Sequence, residues 1–218
     1  MKKPKVIRLE RERIALMIRE DGNEETPTVY TDHQYLVREL FWRRLDALMA
    51  LSRPARPGRV LDFGGGNGIL VSTLAARFER VDCVDLRAEM AERVAREDGL
   101  DNVHVHSAEL FGLKLPDATF DTIIAADVLE HLTELEEMIQ EFRRLLVPGG
   151  ELLVSLPSEN RFYEFGRKVF GYTKPHDHYH HAASVEVTIG GILEAREHRH
   201  WPFNLGPLGV FSLARFVK

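Results

Sequence analysis

Between Val60 and Leu70 an apolar run with a single acid, Val60-Leu61-Asp62-Phe63, gives way to four glycines within five residues, Gly64, Gly65, Gly66 and Gly68. The run reads as a short buried β-strand, and the glycines allow positive φ and close backbone approach. From Leu70 the apolar period becomes helical, with Leu70, Leu74 and Phe78 spaced by four and Val71 and Ala75 beside them. A strand, a glycine turn and a helix in this order present free backbone N–H groups to a ligand at the turn. A cofactor is expected here.

The spacing decides which cofactor. The dinucleotide fingerprint Gly-x-Gly-x-x-Gly would require glycine where Ile69 stands. What is present, Asp62-x-Gly64-x-Gly66-x-Gly68, resembles motif I of the class I S-adenosylmethionine-dependent methyltransferases. The resemblance implies that Gly64, Gly66 and Asn67 cradle the cofactor. Its ammonium would be attracted by Asp62, directly or through water.

Downstream, Val81-Asp82-Cys83-Val84-Asp85 reads as a second strand ending in an acid, 23 residues after Asp62. In βαβ nucleoside-binding units an acid at this position accepts hydrogen bonds from ribose hydroxyls. Asp85 is assigned that role, and Leu86 is expected to lie against the adenine. A helix over Arg87–Glu97 and a strand over Val103–His106 follow, with His104 and His106 read as structural. By the family resemblance, the Ala108 backbone and the Glu109 side chain meet the adenine edge. The run from Phe120-Asp121 to Asp127-Val128-Leu129-Glu130-His131-Leu132 closely resembles the type-11 methyltransferase motif after strand four, which places Asp127 at the cofactor. Thr133-x-x-Glu136 reads as a capping box for the next helix. Leu146-Val147-Pro148-Gly149-Gly150 then leads into a fifth strand.

Two regions flank these motifs. Residues 1–57 are an N-terminal segment whose first part fits helix and strand alike, followed by a covering helix through Leu36, Leu40, Leu45 and Leu48 that Thr31 or Asp32 can cap. Tyr30, His33 and Tyr35 are candidates to touch the ligand. Residues 58–218 form the methyltransferase-like domain. Within it an aromatic- and histidine-rich insertion occupies 157–181, Ser184 can cap a helix, and two strands flank the turn Asn204–Gly209. The implied fold is α/β: a doubly wound, mostly parallel seven-stranded Rossmann-like sheet with a terminal antiparallel hairpin.

Composition removes several function classes. A net charge of −5 argues against generic nucleic-acid binding. The lone Cys83 forms no intrachain disulfide and sits in an apolar run, as an inert buried thiol would. No 18-residue apolar stretch is present, so no membrane span is expected and a cytoplasmic location is assigned. The implied activity is methyl transfer from S-adenosylmethionine to a small-molecule acceptor. His131, His178 and His180 are the candidate bases. Asp127, Glu130 and His131 also resemble the metal-binding trio of ubiquinone-pathway O-methyltransferases, although Asp127 replaces the usual Glu, and no metal is assigned. A catalytically silent S-adenosylmethionine-binding subunit and a nicotinamide-dependent oxidoreductase are the alternatives.

Overall fold

A computed structural model describes residues 5–21, 28–158, 160, 163–164, 168–169, 179–204 and 208–218. Strands β1 (Arg59–Phe63), β2 (Arg80–Asp85), β3 (Val103–Ser107), β4 (Phe120–Ala126), β5 (Leu146–Pro157), β6 (Glu194–Trp201) and β7 (Phe211–Val217) form one sheet. Their order is β3-β2-β1-β4-β5-β7-β6. Pairing is parallel from β3 through β5, and β7 runs antiparallel to both β5 and β6. This is the doubly wound sheet with a terminal hairpin that the order of motifs implied.

Strand alternation divides the core into two layers. Val60, Val81, Cys83, Ile124 and Leu153 face one layer, covered by α1 (Arg11–Asp21), α2 (Tyr35–Met49), α3 (Val71–Ala75) and α4 (Glu89–Glu97). Leu61, Phe63, Val84, Ile123 and Val154 face the other, beneath α5 (Leu135–Leu145) and α6 (Ala182–Gly190). Asp62 shares the Val60 face and is therefore an acid set in an apolar layer. Cys83 lies on that face too, and burial pushes its thiol well up from the ordinary range.

The N-terminal residues belong to the same layer. Helix α1 buries Ile14 and Met17 in the cluster that contains Val60 and Leu74. The preceding strap is tied down by Val6 N–H to Asp46 Oδ1 (2.7 Å) and Ile7 N–H to Thr73 Oγ1 (2.8 Å). Arg13 pairs with Asp98 at 2.7 Å just beyond α4. Within the ambiguous N-terminal pattern Arg11–Asp21 is thus helix, and its apolar stripe is narrow because only one face meets the core.

Several local expectations are corrected. Thr133-x-x-Glu136 is not a capping box: α5 starts at Leu135, and its N-cap is Glu134 without a side-chain cap. Ser184 lies inside α6, whose N-cap is His181, and its hydroxyl donates back to the His181 carbonyl. Neither Thr31 nor Asp32 caps α2, which has Gln34 at its N-cap; Asp32 Oδ1 instead accepts from Gln34 N–H at 2.6 Å. Helix α3 stops at Ala75 although the apolar spacing continues to Phe78, because the chain turns there onto the Leu74 carbonyl. Pairing between β4 and β5 slips between Phe120 and Thr122, opposite the Pro148-Gly149-Gly150 turn, where Gly149 has φ 78°.

Candidate functional site

Parallel register brings the motif residues together at the carboxyl ends of the central strands. Phe63 pairs with Val84 on one side and Ala125 on the other. The glycine turn therefore leaves the sheet between Asp85 and Asp127. Above it lies a cavity of about 360 Å³ lined by the turn (Gly64 to Asn67), Asp62, Asp85 to Arg87, Met90, Asp127 and a wall from the N-terminal segment. That wall comprises Val29, Tyr30, Phe41, Arg44 and Leu45. A cleft outside the carboxyl strand ends, where the strand order reverses, is where doubly wound sheets bind ligands.

The turn is fixed by its neighbour strand. Asp85 Oδ2 accepts from Gly66 N–H and Oδ1 from Arg87 N–H, each at 2.9 Å. Gly66 must be glycine, since a Cβ there would sit 2.1 Å from the Arg87 carbonyl oxygen and 2.6 Å from Asp85 Cγ. Gly64 has φ 75°, and a Cβ would fall 2.5 Å from Val128.

Asp62 is the electrostatic anomaly of the site. It is 2% exposed, and its Oδ2 has no hydrogen-bond partner among the described residues. Burial, with Asp85 nearby, pushes its carboxyl up to about 7. A buried polar group without a partner is costly, and here it lies on the wall of a cavity able to admit a cation. Asp127 has φ 56° at the end of β4 and accepts from Ser155 Oγ at 3.1 Å. Its other oxygen pairs with Arg44. Arg44 in turn is 3% exposed, donates to Tyr30 Oη at 3.0 Å, and lies over the rings of Phe41 and Phe211 at 5.1 and 4.6 Å.

Of the residues singled out from the sequence, Asp62, Gly64, Gly66, Asn67, Asp85, Leu86 and Asp127 line this cavity. Ala108 and Glu109 are not among its lining residues; Ala108 N–H is spent on the Asp85 carbonyl at 3.0 Å. His131 also lies off the cavity, on the short 3-10 turn after β4. His180 lines a separate surface groove with Thr133, Glu136 and Thr188. His178 lies outside the described residues. Tyr30 reaches the cavity, whereas His33 and Tyr35 do not. Among the described residues no group of three or more His, Cys, Asp or Glu could hold a metal ion. His106, read as structural, bonds Asp82 at 3.0 Å. Burial pushes the Asp82 carboxyl up, but hydrogen bonds from Arg59, Arg80 and His106 outweigh this and hold it down at about 2.

Arg44 was not foreseen. The signal was present: it falls three residues after Phe41 and four before Leu48, on the buried stripe of α2. A cation on an apolar helix face calls for a partner.

Residues 61–154 match the family model Methyltransf_11, described as a methyltransferase domain. With the sheet topology, this makes the matched stretch similar to the S-adenosylmethionine-dependent methyltransferase domains of that type. An uncharacterised methyltransferase of Mycobacterium tuberculosis is 30% identical over 109 residues, 50% of this chain and 55% of that protein. The ubiquinone/menaquinone biosynthesis C-methyltransferase UbiE of Shewanella frigidimarina is 31% identical over 137 residues, 60% of this chain and 53% of that protein. The chain thus spans about half the length of these curated relatives. In fold it is similar to the N-methyltransferase NodS of Bradyrhizobium japonicum, solved with S-adenosyl-L-homocysteine (TM-score 0.64, 18% identity, 94% of this chain and 98% of that one).

The residues present fit S-adenosylmethionine. The glycine turn leaves a cradle that Cβ atoms would fill, the Asp85 carboxylate stands beside it, and Asp62 has a buried oxygen without a partner among the described residues, a set of groups that suits a ribose and an ammonium.

Proposed function

We propose that this chain transfers the methyl group of S-adenosylmethionine to a small-molecule acceptor. The observation that carries the reading is Asp62, an orphaned buried acid on the wall of a cavity that it lines together with the glycine turn held by Asp85. Asp85 binds the ribose hydroxyls, Gly64, Gly66 and Asn67 contact the cofactor through backbone and amide, and Leu86 covers its adenine. The sulfonium supplies an electrophilic methyl for in-line displacement when the cofactor is bound. The protein's own contribution is to hold the acceptor in line and exclude water. Orientation of this kind supplies roughly 7–11 kcal/mol in favourable cases.

The acceptor side is the wall of Val29, Tyr30, Phe41, Arg44 and Leu45, apolar but for the Tyr30 hydroxyl and the Arg44 guanidinium. Its dimensions suit a small molecule. A relative named as a C-methyltransferase of quinone biosynthesis supports a small acceptor. His131 and His180 lie off the cavity and His178 lies outside the described residues, so the reading rests on positioning of the acceptor. The test is incubation of the purified protein with methyl-labelled S-adenosylmethionine and fractionated cell metabolites. Label should pass to a low-molecular-weight fraction, and should not pass with Asp62→Ala. Cofactor binding without label transfer to any fraction would favour a silent binding subunit.

A further inference from the structure

On the wall from the N-terminal segment, Val29, Phe41 and Leu45 are apolar, and the Tyr30 hydroxyl and the Arg44 guanidinium interrupt them. A few placed polar groups on an apolar wall set which ligand fits and how it is turned. Tyr30 ends the 3-10 turn Thr28–Tyr30 and is 5% exposed. Its ring meets Trp42 and Phe41 edge-on, with centroids 4.9 and 6.1 Å away, so the hydroxyl has a fixed place. Arg44 Nη2 donates to the phenolic oxygen at 3.0 Å, the only hydrogen bond of that hydroxyl among the described residues. With the oxygen engaged as an acceptor, its own proton is left to donate. The adjacent cation polarises the O–H and strengthens it as a donor. Asp127 balances that cation, so the wall offers a donor without net charge.

We propose, resting on the methyl-transfer reading, that Tyr30 donates a hydrogen bond to an oxyanion of the acceptor. The acceptor is then an acidic hydroxyl compound, a phenol or an enol, bound as its anion. Two effects favour that form. A hydrogen bond to an ionised oxygen is stronger than one to a neutral oxygen. The cofactor's sulfonium also attracts a negative acceptor across a cavity shielded from water. The apolar body of the acceptor lies against Val29, Phe41 and Leu45. Bound as an anion it has lost its proton before transfer, and one fixed contact sets the direction of its nucleophilic atom. Tyr30 is thus an acceptor-binding residue, and Arg44 a positioning residue that acts through it.

The test uses two probes on protein saturated with S-adenosylhomocysteine. Para-nitrophenol has a coloured anion, and nitrobenzene is the same ring without the hydroxyl. Wild type should bind nitrophenolate more tightly than nitrobenzene and should ionise the bound phenol at a lower pH than in solution. Tyr30→Phe keeps the ring and removes the donor. It should weaken nitrophenolate on the order of 10- to 100-fold, the range for a hydrogen bond to a charged group. Nitrobenzene and S-adenosylhomocysteine should stay within a few-fold of wild type, which also shows that the variant is folded. Arg44→Met should reduce the preference for nitrophenolate in wild type and leave it unchanged in Tyr30→Phe, as required of a residue acting through Tyr30. No probe binding by wild type, equal weakening of both probes in Tyr30→Phe, or no weakening of nitrophenolate would overturn the proposal. Weaker S-adenosylhomocysteine in Tyr30→Phe would overturn it too, by placing the hydroxyl on the cofactor. A wild-type protein that did not bind S-adenosylhomocysteine would instead overturn the cofactor reading itself.

Discussion

A single carboxyl governs how this protein should respond to pH. Asp62 titrates near 7 when folded, against about 3.9 in an unfolded chain. Between these values the folded state binds more protons than the unfolded one. Stability of the ligand-free protein from this group therefore falls as pH rises from about 4 to 7, then levels off. Asp82 works in the opposite sense and at lower pH, because its folded value is depressed to about 2. Its contribution is complete above about 4 and is lost on acidification. Denaturant melts of wild type and Asp62→Asn at pH 4.5, 6 and 7.5 should show a difference that narrows at the acid end. A difference independent of pH would mean that Asp62 is ionised throughout. An ammonium ligand favours the ionised form, so S-adenosylhomocysteine should bind more tightly at pH 8 than at pH 5.5, and Asp62→Asn should flatten that dependence. At the neighbouring turn, Asp85→Ala should cost about 1.5–3 kcal/mol of cofactor affinity. It should also lower the melting temperature, since Gly66 N–H and Arg87 N–H lose their acceptor.

Among the elements, the central strands were legible and the covering helices were less so. Parallel strands buried on both faces read as continuous apolar runs, and Val60–Phe63, Val81–Asp85 and Thr122–Ala126 stand out for that reason. The ends of α3, α5 and α6 were misjudged because their caps use backbone groups and tertiary contacts rather than Ser or Thr side chains. Attachment of the N-terminal layer was invisible in the pattern, because it depends on polar contacts distant in sequence. One of these is Glu151, 1% exposed on β5, which accepts from Ser52 Oγ at 2.7 Å and Arg53 N–H at 2.9 Å. Arg215 stands 3.6 Å away. This carboxylate fixes the segment between α2 and β1 to the sheet. Glu151→Ala should destabilise the fold by about 3–5 kcal/mol, as removing one member of a buried ion pair does. A loss below about 1 kcal/mol by urea titration would show that the anchor is dispensable.

At the scale of the whole molecule, the sequence located the glycine turn and strand-end acids of the cavity, but not the wall from the N-terminal segment beyond Tyr30, and it misplaced Ala108 and Glu109. Glycines and strand-end acids occur at fixed distances along one βαβ unit, so linear spacing reports them. Arg44 reaches the same cavity from a segment that precedes the sheet, where only Tyr30 had been singled out correctly, and His131 follows β4 yet lies aside. Sequence order does not encode those outcomes. Joining α2 to the sheet around a shared cavity implies that ligand and fold are coupled, which leads to a last prediction. A ligand that binds only the folded state at a concentration 100 times its dissociation constant adds about 2.7 kcal/mol. For a chain of 218 residues each kcal/mol moves the melting temperature by about 2–4 °C. S-adenosylhomocysteine at that excess should therefore raise it by roughly 5–10 °C. NAD at the same concentration should leave it within about 1 °C, because Ile69 occupies the place of the third fingerprint glycine. Scanning calorimetry reads both numbers directly. A larger shift with NAD would assign the cavity to a dinucleotide and overturn the methyl-transfer reading.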